Sequence, residues 1–378
     1  MQSRILGANV RLARLFNGFS QEDVATRIGK TRQYVHKIET EQLTPPDEVV
    51  DYISEMLSVR PSFFVRQASA EVGEDLFHFR KRFTAKAAIK QVALAKGEMF
   101  RRIVATLESK VLLPQLNIPQ IEAGSVVDIE QAAEACRRHW GLGLGPIQNM
   151  IRVVENAGVL VTRFKGVARE VDACSIGTAR PVIVVNDAEA SSCRGRFDVA
   201  HELGHLVMHC GLVTGDRKTE GEANRFAGAF LLPRSTFVRE FPPLRGRHLN
   251  WQGLVEMKLR WKVSKSAILY RAKQLGVITE DQYKTGVIRL SRGGEARGER
   301  EDALIANEVP ELFAHAVRLS FRESLLSYES FCGMFGVGPE VVDEFIPEEE
   351  SSQTHTNDVA RLPNNVVSLN VRRLAKGL

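Results

Sequence analysis

The chain has 378 residues, 44% hydrophobic, with a formal net charge of +5, which predicts two or three domains with enough apolar material for cores and permits nucleic-acid binding without demanding it. No apolar run approaches the ~18 residues of a membrane helix, and the start MQSRILGANVRLARLF lacks the features of a signal peptide, so a cytoplasmic location without membrane attachment is expected. The cysteines Cys136, Cys174, Cys193, Cys210 and Cys332 are scattered and include no C-x-x-C pair, which argues against a disulfide framework.

Residues 5–65 read as short helices. Leu12, Leu15 and Phe16 share one face of the first. Ser20 precedes QEDVATRIG as an N-cap with acids in the first turn. Gln21–Gly29, then Lys30-Thr31, then Arg32–Glu39 have helix-turn-helix length, with Val24, Ala25, Ile28, Val35 and Ile38 as the core between the two helices. The run FSQEDVATRIGKTRQYVHKIETEQLTPP resembles the phage-repressor and Cro-like (XRE) DNA-binding domain, and residues 1–66 are assigned to it. The resemblance implies that the second helix of the pair enters the major groove. Carried over by position, Thr31, Arg32, Gln33 and His36 face base edges, while Gln21 and Lys37 are candidates for phosphate contacts. The domain departs from a strongly basic footprint, with nine Lys/Arg against eight Asp/Glu.

Residues 67–125 read as a basic helical linker. Leu76 to Arg102 hold eight Lys/Arg and one acid. A short strand at Phe77 and Phe79 and a long helix through Lys110 are expected. Such a run lies along DNA or an acidic partner, or is a solvated helix face. The two prolines of LLPQLNIPQI close it.

In residues 126–290, Val127–Trp140 predicts an amphipathic helix, GLGLGP a turn, and Gly145-Pro146 the opening of a helix through Ala157. Strands follow at Val159–Phe164, Asp172–Ile176 and Pro181–Asn186. Then comes DVAHELGHLVMH, with Asp198 as a plausible N-cap. His201 and His205 lie four residues apart, so both imidazoles project from one helix face, as two ligands of one tetrahedral zinc require. Glu202, between them, is placed to take a proton from water. His209 extends the same face and fits a supporting neighbour better than a ligand. Asp172 and Arg196 flank the site in sequence order. No tyrosine falls between Tyr52 and Tyr270. A second helix carries Ala223, Phe226, Ala227 and Phe230 at helical spacing and ends at Pro233. It offers Glu220 or Glu222 as a third ligand. These point about 200° apart on a helix, so only one can face the metal, and burial does not decide between them.

RGRFDVAHELGHLVMH followed by EGEANRFAGAFLLP resembles the ImmA/IrrE family of zinc metallopeptidases. That resemblance implies a gluzincin-like α+β domain, bound Zn2+, and a helix-turn-helix repressor or antitoxin as protein substrate. Glu220–Asn224 is similar to a gluzincin-like E-x-x-A-[DN] pattern, which implies Glu220 as ligand and Asn224 as hydrogen-bond partner of a zinc histidine. An edge strand beside the metal helix would hold an extended substrate by backbone pairing; which strand is the edge stays open.

WQGLVEMKLRWKVSKSAILYRAKQ resembles a second, partial helix-turn-helix, without assigned DNA contacts. SRGGEARGERED reads as a polar linker, residues 291–350 as a helical C-terminal region, and Ser351–Leu378 as a disordered tail. The expectation is a multidomain, mostly α chain with a small β-sheet: an all-α helix-turn-helix domain, an α+β gluzincin-like domain and a helical C-terminal region. Its expected function is that of a DNA-binding zinc metalloendopeptidase regulating transcription, with a homodimer as a possible assembly. The rival is a non-catalytic regulator or antitoxin that uses the peptidase-like domain as a sensor or dimerisation module. The intact Glu202 favours the enzyme.

Overall fold

A computed structural model describes residues 4–65, 77–81, 87–164, 171–176, 180–186, 191–212, 214–296, 298–324, 326–347 and 370–371. The chain is multidomain and mostly α. Its first helices are α1 (Gly7–Phe16), α2 (Gln21–Arg27), α3 (Arg32–Glu39), α4 (Asp47–Met56) and α5 (Pro61–Val65). Ser20 and Asp23 form a reciprocal capping box at the start of α2, and the Thr31 hydroxyl caps α3. α1 meets the end of α3 closely. A Cβ on Gly7 would lie 2.3 Å from the Glu39 carbonyl oxygen, so only glycine fits. The Arg14 guanidinium closes the unit by donating to Glu39 (2.5 and 3.1 Å) and to the Phe19 carbonyl (2.6 Å).

β1 (Phe77–Lys81), α6 (Ala87–Leu107), β2 (Val111–Leu112), α7 (Val126–His139) and α8 (Met150–Asn156) follow. α8 begins later than Gly145-Pro146 suggests. Asn149 caps it, accepting from Arg152 N at 2.9 Å, while the Gly143 and Gly145 carbonyls are tied to the Arg137 guanidinium. α6 is not an exposed basic track. Met99, Phe100, Ile103, Val104 and Leu107 bury its apolar stripe, Lys96 pairs with Glu344, and Arg101 and Arg102 pair with Glu98.

Next come β3 (Leu160–Phe164), β4 (Val171–Ile176), β5 (Val182–Asn186), α9 (Ser192–Met208), α10 (Arg217–Leu231), α11 (Arg234–Glu240), α12 (Trp251–Trp261), α13 (Lys265–Gln274) and α14 (Glu280–Arg292). The sheet order is β1-β4-β5-β3, with β3 and β5 parallel and the other pairs antiparallel. The expected linker thus supplies an edge strand. β5 is buried on both faces, which explains its unbroken apolar run. Leu160, Val182 and Val184 face one core with α1, α6 and the C-terminal helices; Val161, Ile183 and Val185 face the other with α8, α9 and α10. The sheet is the wall between two hydrophobic cores.

α12, α13 and α14 complete the second core through Leu254, Trp261, Leu269 and Leu290. The polar stretch after α14 is not a free linker. The Lys258 ammonium is fully buried and needs counter-charge, which Glu299 (2.7 Å) and Asp302 (2.5 Å) provide. Beyond a 3₁₀ turn at Arg300–Leu304, α15 (Leu312–Ser324), α16 (Tyr328–Gly333) and α17 (Pro339–Asp343) join the first core. β6 (Asn370–Val371) pairs with β2. The rest of the expected disordered tail lies outside the described residues.

Candidate metal centre and DNA-reading helix

α9 begins at Ser192, so Asp198 lies inside the helix, buried, and is not its cap. The longer helix places His201, Glu202 and His205 at its deepest part, all 0% exposed. α10 is capped by Asp216, which accepts from Lys218 N and Thr219 N, and it runs across α9. The two approach at Gly204. A Cβ there would lie 3.0 Å from Phe226 Cδ1, so the missing side chain lets α10 bring its first turns over the histidines.

His201 Nε2 and His205 Nε2 lie 3.1 Å apart. Glu220 Oε2 is 3.4 Å from the first and Glu220 Oε1 3.3 Å from the second. Among the described residues, these three form a group whose donor atoms all lie within 4.8 Å of one another. A tetrahedral zinc with bonds of about 2.0–2.1 Å has ligand-to-ligand edges of about 3.3–3.4 Å, so the donor triangle fits such an ion. Burial pushes His205 down to about 4, which keeps the ring neutral, as a ligand must be. Burial acts to raise the Glu220 carboxyl, but the neighbouring His201 and His205 rings prevail and hold it at about 2.

Glu222 faces elsewhere. Its Oε2 is 3.0 Å from His209 Nε2, and His209 Nδ1 is 2.9 Å from His205 Nδ1. On the other side His201 Nδ1 lies 3.2 Å from Asn224 Oδ1. Glu202 is held from the sheet: the buried Ser175 hydroxyl on β4 donates to its Oε2 at 2.6 Å. Ser175 carries no motif in the sequence, being a lone serine in a strand. Arg196 does not join the site. It pairs with Glu308, donates to the Ile147 carbonyl at 2.7 Å, and serves the packing of α8. The Asp172 side chain lies outside what is described. Tyr270 and Tyr283 line a cavity of about 370 Å³ together with Asp198 and with Asn224, the neighbour of His201.

In the N-terminal domain, Thr31, Arg32, Gln33, His36 and Lys37 are exposed along α3, while Val35 and Ile38 are buried beneath them. Gln21 is partly buried and its amide donates to Glu39 at 2.8 Å.

A helix-turn-helix unit joined to an α+β domain with a clustered His-His-Glu set defines a DNA-binding regulator with a peptidase-like domain. Residues 154–273 match the IrrE N-terminal-like domain of the Peptidase M78 family, and residues 10–64 match the helix-turn-helix family. No curated protein matches the chain. Among the described residues, no helix is long and apolar enough to cross a membrane.

Proposed function

We propose that the chain is a zinc-dependent endopeptidase that regulates transcription by cutting a helix-turn-helix repressor or antitoxin, with its own N-terminal domain reading DNA. The observation that carries this reading is the His201–His205–Glu220 donor triangle beside the buried Glu202 carboxylate. His201, His205 and Glu220 would hold the ion, leaving a fourth position open. Bound zinc supplies Lewis acidity, which polarises a carbonyl and lowers the pKa of water toward about 7. Glu202 takes the proton of the attacking water and delivers it to the leaving amine nitrogen. The Ser175 hydroxyl donates to Oε2 of that carboxylate and so helps to orient it. Arg32 and Gln33 open α3 and suit bidentate contacts to guanine and adenine.

The test is co-expression with the repressors encoded at the same locus. Cleavage is expected with the native chain. Glu202→Gln should retain zinc at full stoichiometry and stop cleavage, by at least the roughly 10²–10⁴-fold that a general base contributes. Equal turnover by the variant would overturn the assigned role.

A further inference from the structure

The outer edge of β4 already has an occupant. β4 carries Ser175, which holds Glu202, so this strand runs beside the proposed catalytic carboxylate. Its inner side pairs with β5. Its outer side pairs antiparallel with β1: Phe77 opposite Ile176, His78 opposite Ser175, Phe79 opposite Cys174, and Lys81 opposite Val171. β1 precedes the span 154–273 that matches the peptidase family, and it lies between α5 of the DNA-reading domain and α6.

A polypeptide held next to Glu202 by backbone pairing needs the N–H and C=O groups on that outer edge. β1 takes the direction and the edge that such a polypeptide would take. A substrate pairing instead with the far side of β1 would sit about 4.8 Å further from β4, one strand spacing too remote. The occupant is also held weakly. β1 is five residues long, sits at the sheet border, and its register slips between Phe79 and Lys81. Such an irregularity leaves a residue out of the ladder.

We propose that the outer edge of β4 is the peptide-binding edge of this site, and that Phe77–Lys81 is an internal occupant which a protein substrate must displace. This rests on the peptidase reading above. The displacing segment is an extended strand without proline at the paired positions, because proline cannot donate to the ladder.

The experiment uses the full chain carrying Glu202→Gln and loaded with zinc, so that binding is measured without turnover. The probe is a fluorescein-labelled peptide of residues 75–83, DLFHFRKRF, followed by anisotropy. It is applied to the parent and to a chain whose residues 77–81 are replaced by a Gly-Ser stretch of equal length. A third chain carries His78→Pro with Phe79→Pro. Adjacent residues in a strand point their N–H groups to opposite sides, so the pair removes a ladder donor in either phase. Both altered chains should bind the peptide at least tenfold more tightly than the parent. If the replaced chain fails to fold by circular dichroism, the double-proline chain carries the comparison. Equal affinity in the parent and the altered chains, or binding by none, overturns the proposal. So does a chain with intact Glu202 that cuts itself within 77–81, since the segment would then be a substrate. Absence of zinc or of repressor cleavage would sink the peptidase reading while leaving the peptide comparison readable.

Discussion

Glu220 and Glu222 are two positions apart and serve opposite ends of one hydrogen-bond chain. If His205 presents Nε2 to an ion, its Nδ1 carries the proton and donates to His209 Nδ1. His209 Nε2–H then donates to Glu222. His201 does the same more simply, donating from Nδ1 to Asn224. Glu220→Ala should therefore lose zinc on dialysis. Glu222→Ala and His209→Ala should keep the site and weaken it about 10–100-fold, as outer partners of metal histidines do. Competition with a chelating dye measures all three. Ser175→Ala should leave zinc affinity unchanged and lower turnover about 10–100-fold by freeing the Glu202 carboxylate. Loss of zinc in that variant would refute a role confined to Glu202. His201, Glu202 and His205 were legible because their spacing lies within one helix. Ser175 was not, because it reaches Glu202 only once β4 docks beneath α9.

Individual elements repeat this division between local and long-range information. The α2–turn–α3 unit was readable from the Ser20 cap and its apolar spacing, since both act within a few residues. The start of α9 was not. Ser191 and Asp198 are both cap-type residues, and only packing places the helix start six residues ahead of Asp198. α6 misled for the opposite reason. Its charges dominate the count, while Glu344, the partner of Lys96, lies 248 positions away. α3 supports a direct test: Arg32→Ala with Gln33→Ala should weaken operator binding, each good base contact contributing about 1–3 kcal/mol of discrimination, and leave zinc content unchanged. Operator titration beside metal analysis decides it. The α9–α10 crossing supports another. Gly204→Ala puts a methyl against Phe226, itself fully buried, and should cost about 1–3 kcal/mol by overpacking. Because α10 carries Glu220, zinc affinity should fall with the melting temperature. A variant that melts lower with unchanged zinc affinity would uncouple the two.

Across the whole molecule, α1, α4 and α5 of the N-terminal domain share one core with the far end of the chain, while α2 and α3 also close on a small cluster of their own, Val24, Ala25 and Val35. Phe16, Leu57 and Phe63 belong to the same cluster as Phe331, Val341 and Phe345, with Phe100 of α6 among them. Backbone bonds seal the contact: Arg60 N donates to the Gly336 carbonyl at 2.9 Å and Gly338 N to the Ser58 carbonyl at 2.8 Å. Phe345→Ala should cost about 3–5 kcal/mol and lower the thermal stability of operator binding along with that of the fold. Two separate melting transitions, with operator binding spared, would contradict a shared core. The arrangement also fixes an order of events during synthesis. Helices α1, α4 and α5 leave the ribosome early, but Phe345 follows Val65 by 280 residues (345 minus 65). At about 5–20 residues per second, the core behind those helices stays incomplete for roughly 15–60 s. A nascent or prematurely terminated chain therefore carries α1, α4 and α5 against an unfinished core, and only a chain translated as far as Phe345 closes it.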